Sequence, residues 1–295
     1  MSSIQKIYIA GYKYDVMYTK CCVASVRKWY PEIPVILIKD ESYGTYSTQD
    51  IQKYFNTNVL NCNIKNFGWG FSKLEALFVE KKEKFLILDS DTVMMGPVLD
   101  KLNGYSEEFI VPAVKTTIKF QSAQYFNPDD IIKWDVDYKH TGYGFNTGQW
   151  VGTSGIFKRK DLRKFINYDL EPIRLFNDEL FKLGEQGLLN YFLFKNQQSK
   201  RITLNINPFM ETGDNPKVSA IKSIDSITKR ESMIIHWAGI RTSNIEDAAN
   251  GWILKYFIDL FYVRIPLKKL KYLIDNQFKI FIGNIKLKLK NFLNF

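Results

Sequence analysis

The chain has 295 residues, 45% of them hydrophobic, and a formal net charge of +10, which suits one large domain with an extension, or two modest domains, around a sizeable core. Of that charge, +7 falls in residues 264–295, where Arg264 and seven lysines face Asp275 alone; the near-balanced remainder argues against a nucleic-acid binder. Cys21, Cys22 and Cys62 have neither the spacing of a disulfide framework nor that of a metal site and fit a reducing, cytosolic setting.

The opening residues run straight into a strand pattern, with no basic stretch followed by a long apolar run, which predicts no secretory signal. No run of about 18 apolar residues occurs, so membrane contact is expected to be peripheral. Apolar runs at Lys6–Ala10, Pro34–Ile38, Lys84–Leu88 and Phe109–Pro112 predict strands. Between them, Asp15–Trp29, Thr48–Phe55 and Ser72–Lys82 have helical spacing, with Asp15, Thr48 and Ser72 as N-terminal caps. This alternation predicts an α/β, Rossmann-like first half on a mostly parallel sheet. From Lys115 to Phe145 the periodicity fades, and the segment's aromatic, Gly, Asn and Asp content predicts loops or short elements beside a site. Its rings, Tyr125, Phe126, Trp134, Tyr138 and Tyr143, with the nearby Trp150, suit one side of such a site or simply the core. A strand follows at Gly148–Phe157, helices at Lys160–Asn167 and Asp178–Phe194, and late strands at Arg201–Asn207 and Ser232–Trp237. Two helical segments come after Asn244.

The strand KFLILDSDTV carries two carboxylates, Asp89 and Asp91, just past its apolar run. Ligands of open α/β sheets bind outside the carboxyl ends of the strands, and a pair of carboxylates there suits a hard divalent cation that bridges diphosphate oxygens. A second Asp-x-Asp at Asp135 and Asp137 has no strand before it and is assigned to a solvated loop. The alternative for the first pair is a strand-end turn in which both carboxylates only cap.

KFLILDSDTV resembles the DxD segment of GT-A glycosyltransferases, and four further stretches follow in the order seen in glycosyltransferase family 8, the glycogenin and bacterial galactosyltransferase group. GFSKLEAL places Lys73 where that family has a basic residue reaching the donor. FNTG at Phe145–Gly148 looks like the segment lining the donor sugar. EQGLLN at Glu185–Asn190 is similar to DQ-x-x-LN, and HWAG at His236–Gly239 resembles the start of H-x-x-G-x-x-KPW. The resemblance spans about residues 4–241. It departs after Gly239, where Ile240, Arg241 and TSN replace the end of the motif, leaving Arg241 as the candidate phosphate-binding cation.

The resemblance implies a GT-A core, Rossmann-like and built for nucleotide-diphospho-sugar transfer, with Ala10, Gly11 and Tyr12 against the base, Ser90 near the ribose, and Asn146, Thr147, Gly148 and Gly239 around the donor. Asp89, Asp91 and His236 would be the protein ligands of Mn2+ or Mg2+, a set in which imidazole favours manganese. Lys73 and Arg241 would neutralise the diphosphate as the sugar bond breaks. At the reacting centre, the amide of Gln186 would face the anomeric carbon in a reaction that retains configuration, whereas Glu185 as a general base would invert it. The family favours retention and a UDP-sugar donor.

From Leu267 an apolar stripe recurs at Leu270, Ile274, Phe278, Phe281, Ile285, Leu289 and Phe292, with lysines beside it. This predicts an amphipathic helix that lies on an anionic membrane surface; alternatively it packs on the protein or on a second copy of the chain. The expected organisation is a catalytic domain at 1–245 and a basic helical extension at 246–295. Such a protein would be cytoplasmic, peripheral on the cytoplasmic face of a membrane, and would transfer sugar to a glycan or lipid-linked acceptor. A haloacid-dehalogenase-type phosphohydrolase and a non-catalytic sugar-binding or scaffold protein are the competing readings.

Overall fold

The computed structural model describes residues 3–68, 70–239 and 244–265. In chain order the first elements are β1 (Lys6–Tyr12), α1 (Val16–Trp29), β2 (Val35–Asp40), α2 (Gln49–Phe55) and β3 (Thr57–Val59), followed by a 3-10 helix at Phe71–Phe78. Next come β4 (Lys84–Asp89), β5 (Thr92–Met95), α3 (Val98–Leu102), β6 (Phe109–Val111), β7 (Val114–Lys115), α4 (Ile118–Gln124), α5 (Pro128–Trp134), β8 (Tyr143–Gly144) and β9 (Gln149–Thr153). The last group is α6 (Arg159–Leu162), β10 (Ile166–Asn167), β11 (Arg174–Leu175), α7 (Glu185–Gln198), β12 (Leu204–Ile206), β13 (Met210–Thr212), α8 (Pro216–Ser219), β14 (Met233–His236) and α9 (Gly251–Val263).

Seven strands form the main sheet in the order β12-β6-β9-β4-β1-β2-β3. All its pairings are parallel except those of β9, which runs antiparallel to both β4 and β6. Alternate residues of each strand feed two cores, as the two-residue repeat of a strand requires. Ile7, Ile9, Leu86 and Leu88 face the layer of α1 and α9. Tyr8, Phe85, Ile87 and Trp150 face the layer of the 3-10 helix and α7. A smaller sheet, β13-β14-β5, grows from the residues just after β4.

Several boundaries differ from the sequence expectation. Phe71–Phe78 is 3-10 rather than α-helix and stops four residues short of Lys82; Phe71 to Leu77 are all buried, so the segment has no polar face of the kind a surface helix presents. The helix expected from Asp178 starts only at Glu185, because Leu183 (φ 52°) and Gly184 (φ 60°) are both left-handed and break helical continuation. The expected helix at Lys160–Asn167 divides into α6 and β10. Within Lys115–Phe145 the loops hold two short helices, α4 and α5, each capped as sequence rules prescribe: the side chain of Thr117 accepts from Phe120 N, and that of Asn127 from Asp129 N.

α9 packs across α1, and Phe261 stacks on Phe55 with centroids 4.4 Å apart and planes 3° from parallel. Residues 251–263, placed beyond the expected boundary at 245, thus share the core of the preceding residues. The amphipathic stripe from Leu267 lies outside the described residues. Among the described residues no helix is long and apolar enough to cross a membrane.

Candidate active site

A cavity of about 380 Å³ opens at the carboxyl ends of β1, β2 and β4, within the size range of small-molecule sites. Its centre is the turn after β4. Ser90 N donates to Ala10 O (2.9 Å) and Asp89 N to Gly148 O (2.6 Å), so the turn is tied to the end of β1 on one side and to the 146–148 loop on the other. β5 leaves the turn and pairs antiparallel with β14, which puts His236 opposite Thr92. Trp237 N donates to Asp91 O (3.0 Å). In this way β-pairing, not sequence proximity, delivers the imidazole, with Nε2 3.0 Å from Asp91 Oδ1.

Ligand atoms of Asp89, Asp91 and His236 lie within 4.8 Å of one another. Two carboxylates and one imidazole at this spacing suit a divalent cation of the magnesium or manganese kind. The fit extends to the surroundings: His236 Nδ1 is buried without a hydrogen-bond partner, and a Cβ at position 148 would stand 2.3 Å from His236 Cε1, so only glycine admits the ring there. Burial opposes charge on His236, but Asp91 outweighs it and raises the imidazole pKa above 6.5. Burial also raises Asp89, with Asp91 adding to the effect and Lys73 opposing it. Binding of a metal by the neutral imidazole and the carboxylates would therefore release protons, and its affinity would depend on pH.

Lys73 joins this centre to the far side of the cavity. Its Nζ lies 3.1 and 3.2 Å from the two carboxylate oxygens of Asp89 and 2.7 Å from Glu185 Oε1, and it donates to Thr147 O (3.2 Å). Burial alone would lower its pKa, but Asp89 and Glu185 raise it, so it stays an ammonium. Thr147 Oγ1 donates to Glu185 Oε1 (2.8 Å). Glu185 Oε2 is buried with no hydrogen-bond partner and lies against Gly70, whose added Cβ would sit 2.3 Å from it. Burial raises the Glu185 pKa despite Lys73. Gln186 lines the cavity, its amide donating to Gln124 O (3.2 Å).

Of the residues singled out from sequence, Ala10, Gly11, Tyr12, Lys73, Asp89, Ser90, Asp91, Asn146, Thr147, Glu185, Gln186, His236 and Gly239 all line this one cavity. Gly148 does not; it stands behind His236. Arg241 lies outside the described residues. Asp135 of the second Asp-x-Asp is taken up structurally by Tyr191 and Lys195. Tyr125, Phe126, Tyr138 and Trp150 are buried core, whereas Trp134 is 46% exposed.

The cavity also contains residues that sequence reasoning did not name. Asp40 ends β2, and its Oδ1 accepts from Ser42 N and Phe67 N; its strand-end position was the available signal. Tyr43 comes from an irregular segment and Gln124 from the end of the short helix α4, and neither carries such a signal. Asp15, expected to cap α1, turns into the cavity.

No family model matches the chain, and no curated protein matches it in sequence. Solved structures do match in shape. The galactosyltransferase LgtC, bound to donor and acceptor sugar analogs, has a TM-score of 0.54 at 15% identity, over 87% of this chain and 95% of LgtC. The bifunctional glycosyltransferase WbbM has 0.53 at 12% identity, over 90% of this chain but 52% of WbbM. GlyE, a glycosyltransferase of Streptococcus pneumoniae TIGR4, has 0.51 at 14% identity, over 91% of this chain and 64% of GlyE. The fold is GT-A. This chain spans about half of WbbM and just under two thirds of GlyE.

Proposed function

We propose that this protein is a divalent-cation-dependent glycosyltransferase that moves a sugar, with retention of configuration, from a UDP-sugar to a glycan or lipid-linked acceptor. The observation that carries the proposal is the convergence of Asp89, Asp91 and His236 within 4.8 Å, in a cavity that Glu185 and Gln186 also line.

When bound there, the cation would be held by those three residues and would offset the charge that develops on the departing diphosphate. Lys73 adds a fixed positive charge on the same side. Glu185 is committed to holding Lys73 and Thr147, with its second oxygen shut against Gly70, so it is poorly placed to take a proton from an acceptor hydroxyl. Gln186 faces the cavity with its amide nitrogen anchored, which suits a neutral dipole stabilising an oxocarbenium-like centre. The GT-A fold supplies no support for the phosphohydrolase reading. The basic stripe of residues 267–292 supports peripheral attachment to the cytoplasmic face of a membrane, where a lipid-linked acceptor would be found.

The test is calorimetric titration of UDP and GDP into the protein with Mn2+ and again with chelator. Binding of UDP that disappears with the metal is the expected result; binding indifferent to chelator rejects the metal assignment.

A further inference from the structure

Asp15 occupies the N-terminal cap position of α1, yet its side chain makes no capping hydrogen bond. The carboxylate lines the cavity instead. Oδ2 accepts from Ser90 Oγ (3.1 Å), and the Tyr12 side chain is a second hydrogen-bond partner. Ser90 lies between Asp89 and Asp91. Tyr12 ends β1 and belongs to a cluster of rings with Tyr14 and Tyr43, at centroid distances of 6.2 and 5.5 Å; Tyr14 is 69% exposed and Tyr43 51%.

In any nucleoside diphosphate the ribose lies between the base and the phosphates. With the diphosphate drawn to the Asp89, Asp91 and His236 side and the base received by the tyrosine rings, the ribose falls on Asp15 and Ser90. A carboxylate offers about four lone-pair sites, and two are used here. A vicinal diol supplies two further O–H donors, close enough together for one carboxylate to accept both. Burial, followed by repulsion from Asp91, pushes the Asp15 pKa up to about 7, although the hydrogen bonds from Ser90 and Tyr12 act to lower it.

Building on the nucleotide-sugar reading, we propose that Asp15, with Ser90 behind it, reads the ribose diol and selects ribonucleotide donors over 2′-deoxyribonucleotide donors. The selection follows because a site built around a hydroxyl discriminates strongly against an analogue that lacks it.

The experiment is titration of UDP, GDP and their 2′-deoxy counterparts into the protein with Mn2+, using the unmodified chain and Asp15→Ala. The ribonucleotide should bind at least about tenfold tighter than its deoxy counterpart, in keeping with a charge-assisted hydrogen bond. Asp15→Ala should reduce ribonucleotide binding to the deoxy level and leave the affinity for Mn2+ alone unchanged. Equal binding of the two nucleotides by the unmodified chain overturns the assignment, whether or not the variant folds. A loss of Mn2+ affinity in Asp15→Ala also overturns it, making Asp15 a cation ligand. If no nucleoside diphosphate binds, the glycosyltransferase reading falls, and the assignment with it.

Discussion

The two walls of the cavity are built in different ways. On the strand-end wall, Ala10, Gly11, Asp89, Ser90 and Asp91 are placed by backbone: parallel pairing of β1 with β4, and bonds from the turn to Ala10 and Gly148. On the other wall, Asn146, Thr147, Glu185 and Gln186 come from a loop and a helix start about 40 residues apart, and side chains hold these two segments to each other. Asn190 is the clamp. Its Oδ1 accepts from Phe145 N (2.9 Å), and its Nδ2 donates to Phe145 O (2.8 Å) and Gln186 O (2.9 Å). The difference teaches that the cation side is rigid because the sheet is, whereas the reacting side depends on a few buried polar groups that are costly to leave unpaired.

If that contrast holds, damage to one wall should leave the other working. The largest effect is expected of Asp91→Asn, which should abolish metal-dependent donor binding and lower kcat/KM by about 10²–10³-fold or more, the scale of losing a preorganised electrostatic group. The fold should persist, and the thermal midpoint should change little above the range in which His236 titrates, where its ion pair with Asp91 no longer contributes. Retained metal-dependent binding, measured by calorimetry, would break the assignment of the cation wall.

Asn190→Ala should do the reverse. It leaves the Phe145 amide and carbonyl without their partner, at a cost of about 1–3 kcal/mol each when buried, and should lower both kcat and the thermal midpoint while Mn2+ affinity stays within about twofold. A fall in Mn2+ affinity as large as that in turnover would show that the two walls are not separable.

A pH titration sharpens the comparison further. His236 has a raised pKa in the folded protein because of Asp91. Its ion pair therefore contributes stability that is fully present below the ordinary value of 6.5 and is lost as pH rises through the folded value. The metal-free protein should lose thermal stability over that range, while Mn2+ affinity rises across it, because the metal takes the neutral imidazole. Parallel rather than opposite trends would argue against His236 as a ligand.

The smallest effect is expected at Asp15. Its folded pKa, raised from 3.8 to about 7, means that ionisation costs stability as pH climbs through that interval. Asp15→Asn should therefore raise the thermal midpoint above pH 7 and leave it unchanged below about pH 4, where the acid is protonated in both folded and unfolded chains. A variant no more stable at pH 8 would show that the carboxylate is better satisfied than its surroundings suggest.

Much of this was legible in the sequence, for identifiable reasons. Strands such as KIYIAGY and KFLILD are apolar on both faces and bounded by polar residues, so their positions and their ligand-facing ends follow from local pattern. Helix starts were less legible: α7 begins seven residues later than its spacing indicates, because the left-handed backbone at Leu183 and Gly184 is set by packing and not by propensity. Asp15 was misplaced for a related reason. A carboxylate before a helix reads as a cap, and only the approach of Ser90 from the turn after β4, 75 residues away, turns it elsewhere.

By itself the sequence determined the alternating α/β order, the carboxylates at the end of β4 and the charge concentrated after residue 263, since each depends on residues close together in the chain. Only the tertiary structure decided that His236 meets Asp91, that Lys73 spans Asp89 and Glu185, and that Asn190 sets the 145–147 loop. Those contacts join residues 16 to 145 positions apart, and such distant groups meet only once sheet pairing and core packing have offset the entropy of bringing them together.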